Sequence, residues 1–434
     1  MSEVVEEKYF ASPNVPESWA APVFSDLFTS ISTSGKKIKQ RDYKSSGKIP
    51  VVDQGEAFIG GYTDDESLVI EVNDPIIVFG DHTRVFKFLR HDFAPGADGT
   101  KILEPSEALD RRYAFYACKA ARFPDKGYSR HFSFLKKIKV PVAPLNEQRR
   151  IVEKIDTLFA RLDKGGEAVR EVQKLLTRYR QSVLKSAVTG QLTKSDRSGW
   201  EAVELGSLLE DIRYGTAKKC SYKLANTAVL RIPNVVGGKI SLDDIKYTDL
   251  TESESDKLAL ELGDILIVRS NGSANLVARG AVVREEAVGM SFAGYLIRLR
   301  VDQDRILPDY LQMSMAAPQT RALIERQARS TSGVHNINSG EVKAIAVELP
   351  PVPEQIEIMA AVDDALQKIV DLESWCETEL KRSASLRQSI LKDAFAGKLV
   401  PQDPNDEPVS ELLARIQAER PKKLPKTRKQ KAKV

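Results

Sequence analysis

The sequence predicts an α+β fold: two strand-rich globular domains separated by two long helices that form an antiparallel coiled coil, built as a pseudo-twofold internal repeat. Three observations lead there. The stretch RQSVLKSAVTGQL at 180–192 returns as RQSILKDAFAGKL at 387–399, an offset of 207. That offset holds without a gap back to Leu135, so that Glu147-Gln148 meets Glu354-Gln355 and Asp156 meets Asp363. Loops accept insertions and packed helices do not, so an unbroken register marks a rigid element. Inside it, apolar residues recur at steps of four and three, the pattern of a helix–helix seam.

The elements follow in chain order. Residues 1–145 form the first domain, in which NDPIIVFGDHTR (73–84) reads as a buried strand ending in a polar turn and GYSRHFS (127–133) as a loop. Pro141 and Pro144 stop an extended segment and open the first spacer helix, 146–192. Its seam is Ile151, Ile155, Leu158, Leu162, Val169, Val172, Leu176, Tyr179 and Val183. Gly165 and Gly166 each weaken that helix by about 1 kcal/mol, and Gly190 stands where a C′ glycine closes it. The second domain spans 193–352. Trp19 and Leu27 match Trp200 and Leu208 at an offset of 181, so the second domain is longer than the first by 26 residues. Within it GDILIVRSNGS (263–273) repeats the strand-and-turn reading, and ARSTSGVHNINSG (328–340) is loop-like. The second spacer helix, 353–400, opens after Pro350, Pro351 and Pro353, ends at Gly397, and carries Ile358, Val362, Ile369, Leu372, Leu386 and Ile390 on its seam. Residues 401–434 are a short helix and a basic tail. Two such helices in one chain pair most simply with each other, and an antiparallel pair buries both seams symmetrically.

Composition narrows the function. Hydrophobic content of 42% and charged content of 29% fit a globular chain with real cores. There is no bilayer-length apolar run and no signal peptide, so no membrane role and a cytoplasmic location are expected. Cys118, Cys220 and Cys376 are far apart and form no metal or disulfide pattern. Residues 420–434 hold eight of the 65 basic residues and no acidic one, which leaves 57 basic against 61 acidic residues in the body. Since phosphate binding is mainly a cationic effect, DNA binding by that body requires local basic loops, or partners that supply much of the clamp.

The loops after the strands carry such groups. Arginine pairs bidentately with guanine and asparagine with adenine, while Ser, Thr and Lys hold phosphates. The DNA-binding candidates are His82, Thr83 and Arg84; Tyr128, Arg130 and His131; Lys218 and Lys219; Arg269, Asn271 and Ser273; and Ser332, His335 and Asn336. No Walker A, GxGxxG, HExxH or GxSxG motif is present. Pro308-Asp309 with Glu341-Val342-Lys343 has the outline of a metal-dependent nuclease site. However, Ser339 reads as the N-cap of a helical turn there, and Glu341 aligns with Phe134 in the repeat. The chain therefore reads as non-catalytic and without a metal site.

The order of domain, helix, domain, helix resembles the specificity (S) subunit of type I restriction–modification enzymes. The resemblance rests on PVAPLNEQRRIVEKID (141–156), PPVPEQIEIMAAVD (350–363), the two thirteen-residue stretches, PQDPNDEPVSELLARIQAER (401–420), and the segments FGDHTR, GADGTK and GDILIVRSNGS. It implies that each domain is a target-recognition domain reading half of a bipartite, asymmetric sequence in double-stranded DNA, with the helices setting the gap. It also implies two adenine-methyltransferase (M) subunits and two motor/restriction (R) subunits as partners. These would use S-adenosylmethionine, ATP and Mg; this chain would bind none of them. The rival expectation is a coiled-coil scaffold or adaptor without base-specific readout.

Overall fold

The structure, a computed structural model, describes residues 15–123, 130–223, 225–331 and 334–419. Two compact units divide the chain: Met1–Ala168 with Thr378–Val434, and Val169–Glu377. Two long helices, Leu145–Val188 and Val352–Ala394, each give one part to either unit. No described helix is long and apolar enough to cross a membrane.

The first unit contains β1 (Phe28–Ile31), β2 (Ile49–Val52), β3 (Gly61–Thr63), β4 (Ile76–Gly80), β5 (Phe86–Leu89), β6 (Ala94–Pro95) and β7 (Thr100–Pro105). An antiparallel sheet runs in the order β1-β7-β4-β5, and a second sheet, β3-β2-β6, has its last pair parallel. The apolar run of β4 is buried along its whole length. The helix Arg111–Ala120 is capped by Asp110, whose carboxylate accepts from the Arg112 and Tyr113 amides. Its Tyr113, Ala114 and Ala117 share a core with Ile77, Phe79 and Leu103. Ile151 and Ile155, near the start of the first long helix, join that core beside Leu391, Ala394 and Phe395, at the end of the second.

The second unit contains β8 (Glu201–Glu204), β9 (Leu209–Tyr214), β10 (Thr227–Leu230), β11 (Lys246–Thr248), β12 (Ile265–Val268), β13 (Ser270–Asn271), β14 (Gly280–Val282), β15 (Ser291–Phe292), β16 (Leu296–Val301), β17 (Arg329–Thr331), β18 (Val334–Asn336) and β19 (Ala346–Leu349). Its sheets β9-β16-β12-β14 and β11-β10-β15 repeat the order and directions of the first unit's two sheets. The small sheet β13-β18-β17 has no counterpart among the described residues of the first unit.

Within each unit the long helices run antiparallel. In the first, Arg387 pairs with Asp163 and lies 4.8 Å over the Phe159 ring. In the second, Arg180 meets Glu373 at 3.2 Å, Leu176 packs with Ile369 and Cys376, and Val183 shares a core with Ile358 and Val362. The seam departs from a strict heptad. Leu158, Leu162, Val169, Val172 and Ile390 are half-buried, but Tyr179, Leu372 and Leu386 are 54%, 46% and 43% exposed. Arg180 and Glu373 take the seam places expected for Tyr179 and Leu372. The reason is geometric. A straight α-helix drifts about 20° per heptad, so a heptad extended from Ile151 to Tyr179 has turned by roughly 80°.

Candidate nucleic-acid interface

In each unit the repeated Glu-Gln pair ties the start of a long helix to the strand-rich domain before it. In the first unit the Gln148 amide donates to Ala108 O (2.9 Å) and Ala143 O (2.8 Å) and accepts from Asp110 N (2.8 Å). In the second, Gln355 donates to Arg305 O and Pro350 O (both 2.9 Å) and accepts from Leu307 N (2.8 Å). Trp19 donates to Glu147 and Trp200 to Glu354, each at 2.9 Å. Tyr113 donates to Pro141 O and Tyr310 to Glu348 O. Both glutamines are fully buried, so every bond they make is shielded from water. Burial pushes the Glu147 carboxyl up, partly offset by the Trp19, Arg150 and Gln402 groups around it.

In the second unit, loops at one end of the β9-β16-β12-β14 sheet enclose a cleft of about 760 Å³. Of the expected contacts, Lys218, Lys219, Arg269 and Asn336 line it. Asn271 and His335 face each other across β13 and β18, and the Asn271 side chain accepts from Ser273 N at 3.0 Å; these three are not in the lining. The cleft is basic and aromatic. Lys246 lies 4.6 Å over the Tyr222 ring, and Arg269 lies 4.6 Å over the Tyr214 ring. Lys218 is pinned between Glu254 (2.6 Å) and Asp249 O (3.0 Å), and with the Thr251 amide and hydroxyl it holds the Glu254 carboxyl down at about 2. Arg231 bonds Asp244 at 2.6 Å and, with Tyr222, keeps that carboxyl below its usual range. Gly215 lets the strand end approach its neighbour closely, because a Cβ there would run into the Phe292 and Ala293 carbonyls.

Tyr214, Arg231, Lys246 and Tyr295 also line the cleft and were not among the expected residues. The sequence signal for Tyr214 is RYGTAKKCSYK (213–223), where basic and aromatic residues interleave.

The first unit places a comparable loop after β1. Residues 30–35 and Lys37, with Thr100 and Lys101, line an open cleft of about 620 Å³. Lys36-Lys37 follows β1 as Lys218-Lys219 follows β9, and sequence reasoning missed this pair. Lys36 is anchored to Val69 O at 2.6 Å, while Lys37 is exposed. The β4–β5 turn is tied down from beneath: Thr83 donates its hydroxyl to Gln54 O at 2.5 Å, and the His82 amide donates to Gln54 Oε1 at 3.3 Å. That turn leaves Arg84 exposed in a left-handed conformation, φ 64°. Arg130 is exposed.

Two expectations change. His131 has no exposed surface; its Nδ1 lies 3.1 Å from Asp81 O, and Phe132 N donates to the Asp81 carboxylate at 2.7 Å. It is a core pin and not a base contact. Tyr128 and Ser332 lie outside the described residues. The cap of the Ser339–Lys343 helix is Asn338 and not Ser339: Asn338 and Glu341 exchange side-chain-to-amide bonds of 2.9 Å each. The Glu341 carboxylate is thus engaged in that cap, and Asp309 pairs with Arg284.

Comparison with known proteins shows what the chain is similar to. Residues 16–169 match the family model of the type I restriction modification DNA specificity domain. The chain is 33% identical over 298 residues to the type I restriction enzyme EcoKI specificity subunit of Escherichia coli strain K12, covering 65% of this chain and 64% of that one. It is 31% identical over 296 residues to the StySPI specificity subunit of Salmonella potsdam, with the same coverage. The matches therefore span just under two thirds of these relatives' length. Among solved structures, one titled as the structural basis of complex assembly and conformational transition of the type I R-M system aligns with a TM-score of 0.64 at 16% identity, over 89% of this chain and all of that one. The HsdS subunit from Thermoanaerobacter tengcongensis aligns with a TM-score of 0.52 at 19% identity, over 89% of this chain and 99% of that one. These likenesses extend the fold across both units.

Proposed function

We propose that this chain is the non-catalytic, sequence-reading subunit of a type I restriction–modification complex. Its two units each read one half of a bipartite, asymmetric site in double-stranded DNA, and the long helices set the gap between the halves. The observation that carries this is the basic loop cluster at matching ends of two like sheets in dissimilar sequence. Such duplication keeps the framework constant and lets each reading surface vary. The partners are two adenine-methyltransferase subunits and two motor/restriction subunits, which use S-adenosylmethionine, ATP and Mg; this chain needs none of these. A flipped adenine is handled by the methyltransferase, since that chemistry takes the base out of the stack. The test is methyl transfer to a random DNA library by this chain with a methyltransferase subunit. The expected product is a two-part consensus with an unspecified gap, and no transfer by this chain alone. A complex that binds and methylates DNA without any consensus would instead make the chain a scaffold.

A further inference from the structure

Resting on that reading, we propose that Arg269 reads a guanine in the half-site bound by the second unit. Its main chain is fixed on both sides: the amide donates to Tyr295 O at 2.8 Å, and the carbonyl accepts from Ile337 N at 3.0 Å. The guanidinium lies 4.6 Å over the Tyr214 ring. That ring is itself held at its far end, where the hydroxyl accepts from Ser339 N at 2.8 Å. One guanidinium N–H makes a long contact, 3.5 Å, to Gly294 O. The ring and the Gly294 carbonyl therefore restrain the guanidinium before any ligand arrives.

The fork is also free. Arg213, Arg231, Arg298, Arg300 and Arg321 of the same unit each pair with a carboxylate, whereas among the described residues no carboxylate pairs with Arg269. A flat, pre-set pair of donors matches a flat pair of acceptors. In duplex DNA that pair is N7 and O6 of guanine in the major groove. Phosphate oxygens accept the same fork, but they are also served by lysine, which needs no set plane. Lys219 and Lys246 in the same cleft supply that point-charge chemistry. A rigid guanidinium among lysines is the arrangement expected of a base reader, because positioned side chains discriminate only when their rotamers are locked.

The experiment selects random DNA with the complex of this chain and its methyltransferase subunit, for wild type, Arg269→Lys, Arg269→Ala and Tyr214→Ala. Arg269→Ala and Arg269→Lys are expected to relax one G-containing position of one half-site by roughly 10–100-fold. The other half-site and the salt dependence of binding stay as they were. Tyr214→Ala is expected to relax the same position. A uniform loss of affinity for all sequences, with the salt slope reduced by about one, would mean a phosphate contact and overturn the assignment. So would an unchanged consensus in both Arg269 variants. If wild type selects no consensus, the sequence-reading function itself fails, which is a different result from a specific wild type with indifferent variants.

Discussion

Gln148 and Gln355 show what single residues contribute. Each buried amide joins three backbone groups, so Gln355→Leu leaves Arg305 O, Pro350 O and Leu307 N without their partner. The expected cost is about 3 kcal/mol or more, read as a fall in the thermal midpoint of the second unit; a loss under about 1 kcal/mol would show that the amide is dispensable. Arg84 makes the opposite case. An L residue in the left-handed region carries about 1–2 kcal/mol of strain, so Arg84→Gly is expected to stabilise the first unit by about 1 kcal/mol while weakening DNA binding. Unfolding and binding assays on one preparation separate the two effects. The sequence announced the Glu-Gln pair by repetition but not its task. Two of its three bonding partners stand about 40 residues upstream of Gln148 and about 50 upstream of Gln355, where the 207 register has lapsed. For the same reason Lys36-Lys37 went unseen beside Lys218-Lys219: the two doublets are related at a different offset, inside loops of unlike text.

At the scale of elements, the long helices were legible because a packed helix tolerates no insertion. Their buried face was only partly legible. A heptad ruler placed Tyr179, Leu372 and Leu386 inward, yet all three are largely exposed, and Arg180 bonds Glu373 across the seam instead. The difference is measurable. Ile369→Ala opens a cavity against Leu176 and Cys376 and is expected to cost about 2–5 kcal/mol. Leu372→Ala is expected to change stability by no more than about 0.5 kcal/mol. Equal costs would restore the heptad seam. The strands were legible where apolar runs met turn residues, as in β4 and β12. The three-stranded sheets were not, because their strands are short and their pairings bridge long intervals, β10 to β15 for example.

At the scale of the molecule, the two units share sheet order without sharing loop sequence, so their reading surfaces should be exchangeable. On the proposed function, replacing residues 193–352 with the corresponding segment of a type I specificity subunit is expected to change one half of the methylated consensus and leave the other half intact. Mapping methylated adenines in cells checks this. A change in both halves would mean that the units do not read independently. Deleting residues 378–434 is expected to strip protease resistance from the first unit, whose core needs Leu391, Ala394, Phe395 and Val409, and to spare the second. Limited proteolysis of the truncated chain reads out both.

The first unit is discontinuous, interrupted by the whole of the second. On the ribosome this inverts the usual order of maturation. The strands of the first unit emerge early but lack Phe395, which meets Tyr113 edge-on at 5.1 Å, until the second unit has been made. At roughly 5–20 residues per second, the interval between the last early residue, Ala168, and Val409 is about 10–50 s. The second unit has all of its own residues once Glu377 is added, before the first unit gains Phe395 and Val409. The nascent chain thus spends its synthesis with an open apolar core at its N-terminal end, and that end is where chaperone capture or premature cleavage would fall.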